Sequence, residues 1–319
     1  MTRKRGKPLF AAVVLFVSSC AAPFQGTTSI AGDGTPSGRD TPELSFSDQP
    51  VLSLPVEEVT AINRFVGRLF DECMAERGFP QYLEFTIPEE AVTSLDDNGL
   101  SVYMFGPSTR EEALQHGYSP LLLWPRIPSF PNVIANDEAF EVAAAECRSS
   151  SWGSLGESAE GTVRALIRLG TTLHNASMEA LLANEEFRRL HQARVTCLAE
   201  AGFSVKRGPD VWLRPSGDYF GIRFGEVDEV FDEPVSGPAP GEVKVIYPPE
   251  RSYTPGEQEV KLALADVGCR EKLGFHGKVL ALAIEIQAEL MEEIEPNLQE
   301  LKIALDDILD TMRQIEGAG

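Results

Sequence analysis

The chain lacks the residue patterns of the common catalytic sites. It has only four histidines among 319 residues, so bases that could activate a nucleophile are scarce. Gly-x-Ser-x-Gly turns, His-Glu-x-x-His zinc motifs and phosphate-binding glycine loops are missing from the sequence. We therefore predict no catalytic residue, no metal site and no cofactor. The histidines are interpreted as incidental, with His191 on a helix surface and His116 near a loop.

Basic residues are also few. The chain has 28 Lys and Arg residues against 49 Asp and Glu residues, which gives a formal net charge of −21. Nucleic-acid binding depends on basic side chains that neutralise phosphates, so this balance excludes a nucleic-acid partner. An acidic surface serves solubility more often than recognition. A cationic partner, or loosely held divalent cations, stays open as the alternative.

The apolar run near the N-terminus is too short for a membrane-spanning helix. Residues 8–17 provide about 10 apolar positions, whereas a spanning helix needs roughly 20. Basic residues precede the run and small residues follow it, which is the layout of a secretory signal. We therefore predict a signal peptide over residues 1–19. Its removal would take away four basic residues and change the net charge from −21 to −25.

The end of this segment resembles a lipoprotein processing site. Val17-Ser18-Ser19-Cys20 is similar to the bacterial lipobox, in which an aliphatic residue and two small residues precede a cysteine. The resemblance implies that Cys20 is acylated and becomes the new N-terminus after cleavage. The partner of this end of the chain would then be the lipid bilayer, on the extracytoplasmic face of the cell membrane. Ordinary signal cleavage beyond Cys20 is the alternative.

A repeated heptapeptide connects the other four cysteines. Residues 73–79 (CMAERGF) match residues 197–203 (CLAEAGF), and each copy is followed by one further cysteine. Cys147 lies 74 residues after Cys73, and Cys269 lies 72 residues after Cys197. An even number of cysteines in an exported chain favours disulfides, and no two are close enough for the ligand pairs of a zinc site. The near-equal intervals favour Cys73–Cys147 and Cys197–Cys269, while bridges between the copies stay open.

Composition and periodicity divide the mature chain into four parts. Residues 20–54 are rich in Gly, Thr, Ser, Pro and Asp, and are predicted to form a flexible tether. Residues 55–150 and 158–275 are predicted to be duplicated modules, each with a long helix, a small antiparallel sheet and a short helix. Residues 276–316 are predicted to form a long amphipathic helical C-terminus. The predicted fold class is α+β and helix-rich.

Apolar spacing and β-prone runs locate the elements of each module. Helical spacing runs from Val59 to Cys73 in the first module and over residues 159–201 in the second. The closing helices are predicted at residues 137–148 and 257–270. Short β-prone runs predict the strands at residues 82–87, 100–105 and 121–127 in the first module and at residues 211–213, 219–224 and 243–247 in the second.

The C-terminal region keeps a three-four apolar rhythm that is interrupted only at Gln287. Its length qualifies it as a coiled coil, but Pro296 removes a backbone donor. We therefore expect the helix to be kinked or divided into two arms that pack on the body or on each other. Such an apolar seam is more often internal core than partner surface. An envelope protein bound through these helices is the alternative.

Carboxylates are so numerous that a glycosidase-type pair is not excluded by count. Asp96-Asp97 and Asp228-Glu229 are close in sequence, but pairs like these arise by chance among 49 acidic residues. The three tryptophans are spread along the chain and are interpreted as core or rim residues rather than as a ligand cage: Trp124, Trp152 and Trp212.

Taken together, these motifs resemble one group of proteins. The lipobox, the repeated Cys-(Met/Leu)-Ala-Glu-x-Gly-Phe and residues 264–270 (LADVGCR) look like a group of actinobacterial cell-envelope lipoproteins and secreted proteins with no established function. The similarity extends from about Val56 to the C-terminus. Residues 144–148 (AAECR) match the second motif only loosely. The resemblance implies an envelope location and a pair of bridges, but no catalytic residue.

We therefore expect a membrane-tethered extracytoplasmic lipoprotein that acts as a binding or scaffolding module in the cell envelope. The first alternative is a carboxylate-dependent hydrolase acting on envelope carbohydrate, which would need two acids facing each other across a cleft. The second alternative is a solute-binding receptor, which would need a deep cleft between the two modules.

Overall fold

The computed structural model describes residues 45–84, 99–122, 132–230, 238–239, 241–246 and 249–318. Within these ranges the helices are α1 (Val56–Glu76), α2 (Arg110–His116), α3 (Glu138–Gly153), α4 (Ala159–Ala183), α5 (Glu185–Glu200), α6 (Gly217–Phe220), α7 (Glu257–Leu273) and α8 (Phe275–Ala318). The strands are β1 (Asn132–Ala135), β2 (Val227–Val230), β3 (Val243–Ile246) and β4 (Glu250–Tyr253). The prediction of a helix-rich α+β fold with small antiparallel sheets is confirmed.

The largest apolar core lies between α1, α4 and α8. Leu166 of α4 and Leu298 and Leu305 of α8 are almost fully buried in it, against Ile62 of α1. Full burial of one such side chain contributes about 1.5–3 kcal/mol. The apolar stripe of α8 is therefore an internal surface, in line with the interpretation of its rhythm as core.

We expected Pro296 to kink the C-terminal helix or divide it into two arms, and the division into two arms is wrong. α8 is a single helix of 44 residues with Pro296 inside it. The proline is exposed, whereas Ile294 before it and Leu298 after it pack against the same core. Burial on both sides of Pro296 offsets the roughly 3 kcal/mol that a proline costs inside a helix.

The last residues of the predicted tether belong to the folded body. They form two 3-10 helices, Phe46–Asp48 and Pro50–Ser53, and Val51 is buried in the core between α1, α4 and α8. Oε1 of buried Gln49 accepts hydrogen bonds from the Leu100 amide at 2.6 Å and from Gln287 Nε2 at 3.0 Å. Gln287, the polar residue that interrupts the apolar stripe of α8, therefore binds the segment that contains Gln49.

Most of the predicted strands are wrong. Four of the runs contain helical turns instead: the 3-10 helices Pro80–Glu84, Val102–Phe105 and Pro120–Leu122, and α6. The Ser101 side chain accepts a hydrogen bond from the Tyr103 amide and starts a 3-10 turn, which ends at Gly106 with a φ of 107°. Local capping of this kind overrides the β propensity of a short aromatic run. Residues 85–87, 123–127 and 247 lie outside the described residues.

The two sheets do not divide between the two predicted modules. β1, from the first module, pairs with β3, from the second, in an antiparallel register that sets Val133 opposite Val245. β2 pairs with β4 within the second module. In the described part of the chain the first module thus completes its strand pairing with the second, which joins the two.

Apart from the C-terminal helix, the helix predictions are largely confirmed, with a correction at Asn184. α1, α3 and α7 lie where the periodicity places them. The continuous helix predicted over residues 159–201 is instead α4 and α5, separated at Asn184. The side-chain oxygen of Asn184 accepts hydrogen bonds from the amides of Glu186 and Phe187 at 2.8 and 3.1 Å, which caps a new helix.

Candidate functional site

Two disulfides each join the last turn of a long helix to a closing helix. Cys73 of α1 bonds to Cys147 of α3 with an S–S distance of 1.98 Å, and Cys197 of α5 bonds to Cys269 of α7 at 2.04 Å. Both bridges lie within the predicted copies. Closing loops of this length stabilises the fold by roughly 4–4.5 kcal/mol each in the chain-entropy model. Cys20 lies outside the described residues.

The two heptapeptides end their helices in the same way. The amide of Phe79 donates to the carbonyl of Met74 at 3.0 Å, and Phe203 donates to Leu198 at 2.8 Å. The glycines before these phenylalanines have φ values of 99° and 94°, a conformation that only glycine adopts readily. Each copy therefore ends in the same turn, directly after its cysteine.

A buried charge cluster lies between α5 and α7, beside the second disulfide in sequence. It consists of Arg194, Asp266 and Arg270, whose side chains are almost fully buried. Arg194 Nε and Nη2 donate to Asp266 Oδ1 and Oδ2 at 2.6 and 2.7 Å, and Arg270 Nε donates to Oδ2 at 3.1 Å. Two guanidinium groups therefore share one carboxylate, and the trio carries a net charge of about +1 in the interior.

The other guanidinium N–H groups of the buried charge cluster bind mainly backbone carbonyls. Arg194 Nη1 donates to Leu213 O at 2.7 Å and Nη2 donates to Phe105 O at 3.2 Å. Arg270 Nη2 donates to the carbonyl of Pro107. These bonds satisfy groups that would be costly to bury without a partner, and they fix two loops of the chain against α5 and α7.

Aromatic rings enclose the cluster. The Arg194 guanidinium lies 4.7 Å from the ring centre of Trp212 and 5.1 Å from that of Phe275. A cation held over aromatic faces in this way is stabilised by the charge distribution of the rings. Arg270 Nη1 also lies 2.7 Å from His276 Nε2.

The electrostatics of the cluster favour a structural role over acid–base chemistry. Burial opposes ionisation of Asp266, but the charges of Arg194 and Arg270 outweigh it and hold the pKa of this carboxyl below its ordinary value. Burial, with the adjacent Asp266 charge, raises the pKa of Tyr118 well above its ordinary value. Neither group changes its protonation state near neutral pH, as a general acid or base must.

Glu259 forms a second buried anchor on α7. Its Oε1 accepts hydrogen bonds from the Tyr118 amide and the Tyr253 hydroxyl, both at 2.7 Å. Its Oε2 accepts from the amides of Gly225 at 2.7 Å and Gly256 at 3.2 Å. One carboxylate therefore ties together the end of the α2 segment, the residues before β2 and the start of α7.

The prediction that His191 lies on a helix surface is wrong. Its side chain is buried, with an exposed fraction of 2%. Its Nε2 accepts a hydrogen bond from the Trp212 amide at 3.4 Å, and the centres of the two rings lie 4.6 Å apart in an edge-to-face arrangement. Trp212 is a core residue and Trp152 packs at the edge of a core, as interpreted. His116 is exposed at the end of α2, and Trp124 lies outside the described residues.

Asp71 is the described carboxyl with the pKa most suited to acid–base chemistry. Burial, and then the charge of Glu72, raise the pKa of Asp71 to about 7. These two acids are neighbours on α1, however, and do not face each other across a cleft. Asp228 and Glu229 lie on β2, where Glu229 pairs with Arg251 at 3.0 Å. Asp96 and Asp97 lie outside the described residues.

A shallow depression of about 480 Å³ lies between the end of α1 and the start of α3. Arg77 of the heptapeptide and four residues of α3 line it: Glu138, Ala139, Val142 and Ala143. Val142 is 51% exposed there. The lining belongs entirely to the first module, so the depression is not the cleft between modules that a solute receptor would need.

The sequence motif used for the resemblance contains most of the buried charge cluster. Asp266 and Arg270 both lie in LADVGCR, four residues apart and therefore on one face of α7. Arg194 lies three residues before Cys197, as Asp266 lies three residues before Cys269. These equal offsets from a predicted bridge were the available signal that the two side chains meet, but the sequence reasoning did not use it.

The described ranges contain no group of three or more His, Cys, Asp or Glu side chains placed to hold a metal ion. None of the helices there is both long and apolar enough to cross a bilayer. No known protein family, curated protein or solved structure matches this chain.

Proposed function

We propose that this protein is a lipoprotein anchored through Cys20 on the extracytoplasmic face of the cell membrane, where its folded part is a binding or scaffolding module of the cell envelope. The observation that carries the proposal is the pair of disulfides in a chain with a signal-like start. Disulfides persist in oxidising compartments outside the cytoplasm. The four other cysteines of the sequence are used in these two bridges, so the proposal assigns Cys20 to acylation.

The finer architecture belongs to the same proposal. We infer that the two modules arose by duplication of a helix, a Cys–Gly–Phe turn and a closing helix. The matching helix ends at Phe79 and Phe203 and the similar bridge intervals support this. The middle of each module would have diverged, since β1 pairs outside its own module. The likeness to actinobacterial envelope lipoproteins remains part of the proposal and rests on the motifs alone.

The proposed anchor is tested by metabolic labelling with an alkyne-bearing fatty acid in a bacterial host that processes lipoproteins. We expect label on the wild-type chain in the membrane fraction. Cys20→Ser should lose the label and leave that fraction. Ser19→Ala is the matched control, because it keeps a small residue before the cysteine and should keep the label. Unlabelled wild type, or a labelled Cys20→Ser chain, would refute the anchor.

We propose that a partner of the scaffold binds the outward face of α8, since the inward stripe of this helix packs against α1 and α4. This outward face is acidic: all ten carboxylates of α8 are exposed, against three basic residues on the helix. A cationic envelope protein is therefore the proposed kind of partner. Removing α8 to test this would unfold the core, so the test needs surface substitutions.

The substitutions replace three exposed carboxylates of α8 by glutamine in the full-length tethered chain: Glu292, Glu293 and Glu300. The control chain changes the net charge equally at three exposed positions on other helices: Glu57, Glu179 and Glu200. Crosslinking in envelope preparations should recover partners with the wild type and the control, and fewer with the α8 variant. Equal recovery from all three chains would exclude the outward face of α8 as the binding surface.

A further inference from the structure

Residues 105–119, here called the strap, are held against α5 and α7 through their backbone. The strap contains α2 and belongs to the predicted first module, whereas the side chains that hold it belong to the second. Arg194 and Arg270 bind the carbonyls of Phe105 and Pro107 at its start. Glu259 binds the Tyr118 amide at its end. Charged side chains thus fix both ends of the strap.

The bond between Arg270 and His276 depends on an uncharged imidazole. An arginine guanidinium can only donate hydrogen bonds, so His276 Nε2, 2.7 Å from Arg270 Nη1, must be the acceptor. A proton on Nε2 would place a donor against a donor and a positive charge against a positive charge. The same Arg270 side chain holds Pro107, so the state of His276 bears directly on the start of the strap.

The surroundings of His276 favour its neutral form. Arg270 of α7 and Arg194 of α5 face it with positive charge, and Asp266 of α7 is the nearest compensating carboxylate. Asp266 already accepts from both guanidinium groups. The Phe105 ring of the strap lies 5.8 Å from the imidazole. Burial, followed by the charges of Arg270 and Arg194, lowers the pKa of His276 to about 3.

We propose that His276 and Arg270 form an acid-sensitive latch, which holds the strap against α5 and α7 at neutral pH and releases it when His276 takes up a proton. The closed state keeps the imidazole neutral, and the open state exposes it to water. A more acidic medium outside the cytoplasm would then loosen the contact between the two modules, with the disulfides intact.

The direction and size of the effect follow from linkage. The ordinary pKa of an exposed histidine is about 6.5, above that of His276 in the closed state. The closed state therefore has its full stability relative to the open state above about pH 6.5. This stability falls as the pH falls, and the fall ends near pH 3, where His276 also binds a proton in the closed state. One histidine changes the opening equilibrium up to tenfold per pH unit in that range, which is about 25-fold between pH 7 and pH 5.

The test is hydrogen exchange with mass spectrometry on the oxidised full-length chain at pH 7, 6 and 5, with rates corrected for intrinsic exchange. The protection of strap amides should fall by about 25-fold between pH 7 and pH 5. The amides of α4 and the C-terminal half of α8 should stay better protected than the strap throughout. Strap protection that is independent of pH, or that always equals that of α4, would overturn the proposal.

Three variants separate the latch from a general effect of acid. In His276→Gln the side-chain oxygen can still accept from Arg270 but does not titrate, so strap protection should vary less than about threefold between pH 7 and pH 5. His116→Gln removes the exposed histidine of the strap itself and should keep the wild-type pH dependence. An unchanged pH dependence in His276→Gln would overturn the latch. Buried His191 also faces Arg194, and its pKa is lowered to about 4, mainly by burial. His191→Gln is therefore the third variant: it should keep most of the wild-type pH dependence of strap protection, and loss of that dependence would overturn the latch even if His276→Gln fails to fold.

Discussion

The replacement Asp266→Asn tests whether the buried charge cluster is the main polar support of the second module. Asparagine has the same shape and keeps one acceptor oxygen, but it removes the carboxylate that Arg194 and Arg270 share. Both guanidinium groups would then be buried without a counter-charge. Breaking a buried ion pair on one side costs about 3–5 kcal/mol, a large share of the 5–15 kcal/mol that stabilises a typical protein.

The measurement is urea unfolding at pH 7 with both disulfides intact, followed by circular dichroism and by tryptophan fluorescence. Trp212 contacts Arg194 directly, so one of the three tryptophans that contribute to the fluorescence lies at the cluster, while circular dichroism reports on all helices. We expect a lower free energy of unfolding by about 3–5 kcal/mol with both probes. The matched control is Asp306→Asn on the exposed face of α8, which should change it by less than about 0.5 kcal/mol.

The result that would refute this reasoning is a loss of less than about 1 kcal/mol for Asp266→Asn, or a loss no larger than that of the control. In that case the two arginines would be stabilised by the aromatic rings and backbone carbonyls alone. The cluster would then tolerate a neutral centre, and the latch would have to work without the charge balance described above.

Two further predictions concern single positions. Gly117→Ala should lower the free energy of unfolding by about 2–3 kcal/mol, because φ is +52° and the new methyl group would lie 2.6 Å from Glu259 Oε1. The control is Gly161→Ala in α4, where the new methyl group would meet nothing within 4 Å, so the change should be neutral or stabilising by up to about 1 kcal/mol. Equal effects of the two substitutions would contradict this prediction. Asp71→Asn should stabilise the chain by about 1–2 kcal/mol at pH 8, after allowance for the partial exposure of Asp71. The pKa of Asp71 is raised to about 7, so ionisation of this carboxyl opposes folding increasingly from about pH 4 to pH 7. The stabilisation by Asp71→Asn, measured by urea titration, should therefore shrink towards pH 4. A stabilisation independent of pH would contradict this prediction.

Helix positions were predictable where the signal was local and repeated. The apolar spacing of α1, the closing helices α3 and α7 and the core-facing stripe of α8 could all be read from the sequence, because burial on one face imposes a 3.6-residue period. The heptapeptide also indicated its own turn, since Gly78 and Gly202 allow a backbone conformation that other residues resist.

The strands were not predictable in the same way. Short aromatic runs such as residues 102–105 fit a strand or a capped helical turn equally well, and a single serine hydrogen bond decides between them. β1 and β3 lie more than 100 residues apart in sequence, and the residues around each strand do not indicate that the two strands pair. The break between α4 and α5 at Asn184 was not predicted because the apolar spacing continues through it, although asparagine is a common N-cap residue.

The candidate site followed the same division. The bridges were indicated by equal intervals, whereas the buried position of His191 was not, since its sequence neighbours include arginines and glutamine that indicate a solvent-facing helix. The amphipathic pattern of α5 also predicts an exposed Arg194, whereas this side chain is buried. A charged residue in a core is compatible with folding only when distant partners satisfy it, and those partners are not visible in a local pattern.

The sequence by itself determined the five cysteines and their spacing, the signal-like start, the acidic balance and the helix-rich class of this protein, because these depend on composition and on short-range periodicity. Only the tertiary structure decided that residues 45–54 fold onto the body, that α8 continues through Pro296, and that Arg194, Asp266 and Arg270 meet around the strap. The reason is that burial and buried ion pairing depend on which distant segments come together, and each of these three outcomes reverses a local preference.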